Sequence, residues 1–194
     1  MKKAPAFAAV VLAGGQSRRM GTDKAFLAHP ESEQPCWQRQ HSLLQTLGPS
    51  TLWISANAEQ EFPGTDIVRD RYQSMGPLGG LLAGLENARE SLLLVLAVDM
   101  IAMTGEPLQT LIDHCQEDCG AIYRDVSGFY QPTAAVYPKQ ALESVRSFQQ
   151  SGQRRLQDLV QVLVDAKGLK VLNVLPNQSS AFANFNSPQD FVHV

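Results

Sequence analysis

A chain of 194 residues, 44% hydrophobic and 18% charged, carries enough apolar material for one substantial core and is short for two ordinary domains. Its formal net charge of -3 gives no general pull toward nucleic acid or an anionic membrane, so polyanion binding as a main activity is disfavoured and only a local basic patch is left to hold phosphate. Three cysteines, Cys36, Cys115 and Cys119, are too few and too odd in number for a disulfide framework, which fits a reducing, cytoplasmic setting.

The first apolar run, from Ala4 to Ala13, is shorter than a membrane span and leads into a glycine turn rather than a cleavage site, so it reads as a buried strand. Further strands are expected at 51–55, 67–69, 92–98, 121–124, 133–137 and 170–174, following the one at 7–12. Helices are expected between them. Residues 37–47 place Leu43, Leu44 and Leu47 at helical spacing, 79–89 place Leu81, Leu82 and Leu85 likewise, and Pro107 suits the first turn of a helix running through Cys115. The polar segment 29–35 has two prolines and is expected to be an exposed loop. Short Val, Ile and Leu runs alternating with amphipathic stretches predict an α/β fold, a mostly parallel sheet with helices on both faces, within one domain spanning 1–194. His114, Cys115 and Cys119 have helical spacing but no fourth ligand, so the thiols are expected to be buried or half-buried rather than zinc-bound.

Chemistry concentrates after the first strand. Leu12-Ala13-Gly14-Gly15-Gln16-Ser17-Arg18-Arg19-Met20-Gly21-Thr22-Asp23-Lys24 combines three glycines, two arginines and a lysine. Glycines let backbone N–H groups converge on phosphate oxygens, and the cations add full charges. The stretch fits neither G-x-x-x-x-G-K-[ST], because Thr22 follows Gly21, nor G-x-G-x-x-G.

It resembles the L-A-G-G-x-S-x-R-M-G-x-D-K signature of the MobA-type molybdenum cofactor guanylyltransferases. The resemblance continues in order through Asp70, Gly76-Pro77-Leu78-Gly79-Gly80-Leu81, Val98-Asp99-Met100, Pro132-Thr133-Ala134-Ala135 and Asn184-Phe185-Asn186-Ser187-Pro188. It implies a Rossmann-like, three-layer nucleotidyltransferase domain that transfers GMP from MgGTP to the molybdenum cofactor and releases pyrophosphate. The implied substrates are GTP and that cofactor, with Mg²⁺ as the metal. Cofactor-delivery or acceptor molybdoenzyme proteins are the implied protein partners; nucleic acid and membrane are not. Ser55 stands where the family often has asparagine, Ile101 where the aspartate motif usually continues into proline, and Gln131 where histidine commonly precedes Pro132. A CTP- or sugar-phosphate-using transferase of the same fold, or a GTP-binding relative without turnover, remain alternatives.

Transfer onto a phosphate brings two anions together, so catalysis depends on positioning and neutralising charge. Lys24, matching the motif lysine, and Arg18 are the catalytic candidates beside Asp99, with the Ala13, Gly14 and Gly15 backbone, Arg18, Arg19 and Lys24 expected on the phosphates. Asp99 follows a buried apolar run, where a strand's C-terminal edge presents ligands, and the motif match makes it the Mg²⁺ ligand. Asp70 is expected on the ribose or the metal. Leu12 and Ala13 are expected along the face of the base, with Ser55 and Asn57 offering it hydrogen bonds. Gly14, in place of the alanine of cytidine-using relatives, is expected to make room for a purine and to need positive φ. Asn184 and Asn186 match an element implied to face the pterin acceptor. Arg154 and Arg155 suit either a second anionic group or a solvated helix start.

Overall fold

The computed structural model describes residues 5–14, 23–30, 32–70 and 75–185. The strands are β1 (Phe7–Leu12), β2 (Thr51–Ala56), β3 (Asp66–Arg69), β4 (Leu92–Ala97), β5 (Gly120–Arg124), β6 (Tyr130–Pro138) and β7 (Leu169–Asn173). Between and after them run α1 (Cys36–Thr46), α2 (Pro77–Asn87), α3 (Gly105–Asp113), α4 (Ala141–Gln150) and α5 (Leu156–Asp165). Short 3-10 turns occupy Lys24–Phe26 and Pro176–Phe182.

The strands form one sheet in the order β3-β2-β1-β4-β6-β5-β7. All neighbours pair in parallel except β6, which is antiparallel to both β4 and β5. The reason for the reversal is local. Asp125 Oδ1 accepts the N–H groups of Ser127 and Phe129, at 2.8 and 3.0 Å, and Gly128 takes φ +87°, so β5 turns straight back into β6.

Strands β1 and β4 are buried along their whole length, which explains their uninterrupted apolar sequences. The period of two then divides β1 between two cores. Phe7, Ala9 and Val11 pack with α1 and α3, whereas Ala8, Val10 and Leu12 pack with α2, α4 and α5. This is the expected α/β arrangement with helices on both faces. Among the described residues no helix is long and apolar enough to cross a membrane.

From β1 the chain proceeds outward to β2 and β3 on one side, then returns to place β4 on the other. Sheet order therefore reverses between β1 and β4, and a crevice opens beyond their C-terminal edges at such a switch point. Within the segment 29–35, Pro30 and residues 32–34 are exposed as expected, and His29 is the exception, being 3% exposed. Its imidazole Nε2 donates to the carbonyl of Ile101 at 3.1 Å, and a polar composition gave no sign of that distant acceptor.

Candidate active site

The crevice is a cavity built by strand ends and one helix start. β1 and its continuation supply Leu12, Ala13 and Gly14, β2 supplies Ser55, and β4 leads into Val98 and Asp99. Pro77 and Gly80 of α2 form the facing wall with Gly76 and Asp70, and Asp23 and Lys24 close another side. Backbone bonding continues past the strands: Ala13 N donates to Ser55 O at 3.0 Å and Val98 N to Leu12 O at 3.1 Å. The cavity edges are thus extensions of the sheet and share its rigidity.

Lys24 opens a 3-10 turn whose N-cap is Asp23, with Asp23 Oδ1 accepting the N–H of Ala25 at 3.0 Å. Its ammonium lies 3.5 Å from Asp99 Oδ2. The two side chains are 19% and 26% exposed, so each charge is partly screened from water while still open to an incoming group. At 3.5 Å the pair is loose. It leaves the lysine able to turn to a phosphate and the carboxylate able to turn to a cation.

The backbone around Asp99 is fixed at three consecutive carbonyls. Phe185 N donates to Asp99 O at 3.0 Å, Gln40 Nε2 to Met100 O at 2.6 Å, and His29 Nε2 to Ile101 O at 3.1 Å. Gln40 is fully buried. These bonds hold the loop at the position where the motif proline is replaced by Ile101. The Phe185 contact also brings exposed Asn184 to the Asp99 side of the cleft.

Helix α2 approaches closely because it lacks side chains where it meets the sheet. A β-carbon on Gly80 would lie 2.7 Å from both Leu12 Cδ2 and Ser55 Oγ, and one on Gly79 would lie 2.1 Å from Asp70 Oδ2. The Asp70 carboxylate therefore rests on the first turn of α2, where the helix dipole favours an anion. Gly76, the N-cap, has φ +57°, and Pro77 follows at the first helical position.

Of the residues singled out in the sequence, Leu12, Ala13, Gly14, Lys24, Ser55, Asp70 and Asp99 line this one cavity. Asn57 does not line it; its Oδ1 accepts the N–H groups of Glu59 and Gln60, each at 3.1 Å. Gly14 does not have positive φ, since β1 simply runs on into it. Arg155 is the N-cap residue of α5 and faces Asp158 at 3.9 Å, and Arg154 is exposed beside it. Gly15, Arg18, Arg19 and Asn186 lie outside the described residues. The thiol of Cys115 is buried and donates to Leu111 O at 3.1 Å, while His114 Nδ1 bonds Thr110 O at 2.8 Å. Sequence reasoning missed Gln40, His29 and Gln60, each of which bonds a backbone carbonyl far along the chain.

The oxygen donors present fit a hard divalent cation. Asp99 and Asp70 open on the same cavity, and among the described residues no group of three or more His, Cys, Asp and Glu comes together. Magnesium takes one or two carboxylates and completes its shell with phosphate oxygens and water, so such a sparse set suits it.

Residues 9–167 match the MobA-like NTP transferase domain. A protein from Opitutus terrae, named "Probable molybdenum cofactor guanylyltransferase", is 35% identical over 96% of this chain and 94% of its own length. A relative of the same name from Chloroflexus aggregans is 32% identical over 93% of this chain and 89% of its own. Among solved structures, molybdopterin-guanine dinucleotide biosynthesis protein A from Archaeoglobus fulgidus superposes with a TM-score of 0.72 at 19% identity, covering 95% of each chain. The 2-C-methyl-D-erythritol 4-phosphate cytidylyltransferase of Thermus thermophilus does so at 0.69 and 14% identity, covering 94% of each chain, which speaks to fold alone. The extent of the family match, together with relatives above 30% identity over nearly the whole length, places this chain in the MobA-like NTP transferase family.

Proposed function

We propose that the protein transfers GMP from MgGTP to the terminal phosphate of the molybdenum cofactor, forming the guanine dinucleotide and pyrophosphate, and that 1–194 form a single transferase domain. The observation that carries this reading is the Lys24–Asp99 pair, held at the strand switch point beside a cavity walled by Leu12, Ala13, Gly14 and Ser55. The names of the relatives at 35% and 32% identity support the choice of nucleotide and acceptor.

An acceptor phosphate oxygen attacks the α-phosphorus, a P–O bond forms, and the bond to the pyrophosphate leaving group breaks. Negative charge gathers on the oxygens around that phosphorus. Lys24 neutralises it from a fixed turn, and being preplaced it needs little reorganisation as the barrier is crossed. Arg18 and the backbone of Gly14 and Gly15 hold the outer phosphates in this reading. Asp99, with Asp70 nearby, would hold Mg²⁺, which supplies Lewis acidity and a common point for the two anionic reactants. Leu12 and Ala13 pack against the base and the backbone of 55–57 with Ser55 supplies polar contacts. Asn184 and Asn186 serve the acceptor. Cofactor-delivery and acceptor molybdoenzyme proteins are the expected partners in a cytoplasmic setting.

Pyrophosphate release measured with GTP, CTP or UTP, each with and without the molybdenum cofactor, tests the reading. Release that needs both GTP and the cofactor is expected. Release from CTP alone among the three would move the chain to the cytidylyl-transferring branch of the fold, and GTP binding without release would make it a carrier.

A further inference from the structure

We propose that Gln60 is a positioning residue for Lys24, one that ties the turn carrying the lysine to the ends of β1 and β2; the inference rests on the reading of this cavity as a transfer site. Gln60 belongs to the connection between β2 and β3 and is 6% exposed. Its backbone is held before its side chain does anything. Asn57 Oδ1 accepts the N–H of Gln60, and Arg69 donates to the carbonyls of Asn57 and Gln60, both at 2.6 Å.

From that anchored position the amide meets one donor and two acceptors. Oε1 accepts the N–H of Asn57 at 2.9 Å, and Nε2 donates to Ala13 O at 3.0 Å and to Asp23 Oδ2 at 2.5 Å. The partners fix which end of the amide carries nitrogen, because two of them only accept and the third only donates. Ala13 and Asp23 flank the glycine-rich stretch on either side, so a single side chain joins its two ends. Asp23 spends its other oxygen capping the turn at Ala25 N. The linkage therefore runs from β2 through Gln60 and Asp23 to the turn, and from the turn to Lys24 beside Asp99.

An ammonium on a four-carbon stem is placed only as well as its Cα is placed. Catalysis by a fixed charge is sensitive to that placement, and a displacement of about 1 Å can cost on the order of 10²-fold in rate. A carboxylate at position 60 cannot donate to Ala13 O or Asp23, and would set two anions against each other. An apolar side chain would leave the buried Ala13 carbonyl and Asn57 N–H without these partners.

Gln60→Glu preserves shape and removes the donors. Adding Asp23→Asn reverses the polarity of the lost bond: the new amide at 23 donates to the carboxylate at 60, keeps its oxygen for Ala25 N, and restores the link to the turn, while the Ala13 carbonyl stays without its donor. Turnover, KM for GTP, thermal midpoint, and the rate at which acetic anhydride labels Lys24 are compared in parent, single and double variants. The expected result for Gln60→Glu is a loss of about tenfold or more in kcat with a smaller change in KM, and labelling of Lys24 about threefold faster. The double variant is expected to regain part of the turnover and to slow Lys24 labelling back toward the parental rate, which a side chain serving stability alone would not produce. If Gln60→Glu does not fold, Asp23→Asn alone opposes two NH2 groups across the same contact and is expected to show the same two changes. Parental kcat and labelling in whichever single variant folds, or a double variant no better than the single, overturns the proposal. A parent without GTP turnover overturns the transfer reading instead, and the labelling comparison then decides the role of Gln60 by itself.

Discussion

The carboxylate of Asp70 occupies the space that a β-carbon on Gly79 would need: the built atom falls 2.1, 2.5 and 2.6 Å from Oδ2, Cγ and Oδ1. Gly79→Ala must therefore push the whole carboxylate off the first turn of α2. Helix propensity alone favours the change by up to about 1 kcal/mol, so the thermal midpoint should move little. GTP affinity in magnesium should fall about as far as in Asp70→Ala, and the double variant should fall no further, since both changes remove the same group. Additive losses would show that the two residues act separately.

Gly14 gives a second test, now with its physical basis narrowed. Its φ is not positive, and an added β-carbon would meet Asn57 N at 3.5 Å and Ser55 O at 3.7 Å, ordinary contacts that strain nothing. Gly14→Ala should therefore fold normally and place its methyl over the backbone of 55–57, which the proposed function sets against the base. GTP should weaken more than CTP in direct binding measurements. Equal weakening of both would remove the steric account of base selection.

Lys24→Ala separates binding from catalysis. An interaction that strengthens as charge builds up at the barrier shows itself in kcat, so turnover should drop by about tenfold or more beyond any rise in the GTP dissociation constant. A variant with parental kcat and weakened binding would reduce Lys24 to a phosphate anchor.

The cysteines carry a pH dependence. Burial pushes the Cys36 thiol up to about 11, and burial with the neighbouring Cys119 pushes Cys115 up to about 12. The fold holds both as neutral thiols, so their contribution is whole below the unfolded value of 9.0 and is lost as pH rises toward 11 and 12. Iodoacetamide at pH 8 should label them slowly in the native protein and quickly in urea, with half-buried Cys119 the first to react. Rapid native labelling of Cys36 would contradict this.

Hydrophobic runs made the sheet legible: 92–98 and 7–12 are apolar without interruption because β4 and β1 are covered on both faces. Asp99 was legible for a related reason, since a polar residue closely following a buried strand has few places to go except the C-terminal edge, whereas Lys24, twelve residues beyond β1, was legible only through the motif it matches. The supports of the site were not. Gln60 bonds Ala13 O across 47 positions, Gln40 bonds Met100 O across 60, and His29 bonds Ile101 O across 72. A backbone carbonyl has the same identity in every residue, so nothing in the sequence marks which one a distant amide or imidazole will find.

The most direct test follows the α-phosphate of labelled GTP into the cofactor dinucleotide, comparing parent and Asp99→Asn across a magnesium titration. The substitution keeps size and removes the anion beside Lys24, so its melting behaviour should match the parent. Loss of a charged metal ligand costs several kcal/mol at the barrier, and about 1.4 kcal/mol is tenfold, so transfer should fall on the order of 10²-fold or more. GTP binding without magnesium should change little or improve. Near-parental transfer by Asp99→Asn at every magnesium concentration would contradict the account and leave Asp70 as the metal-binding carboxylate.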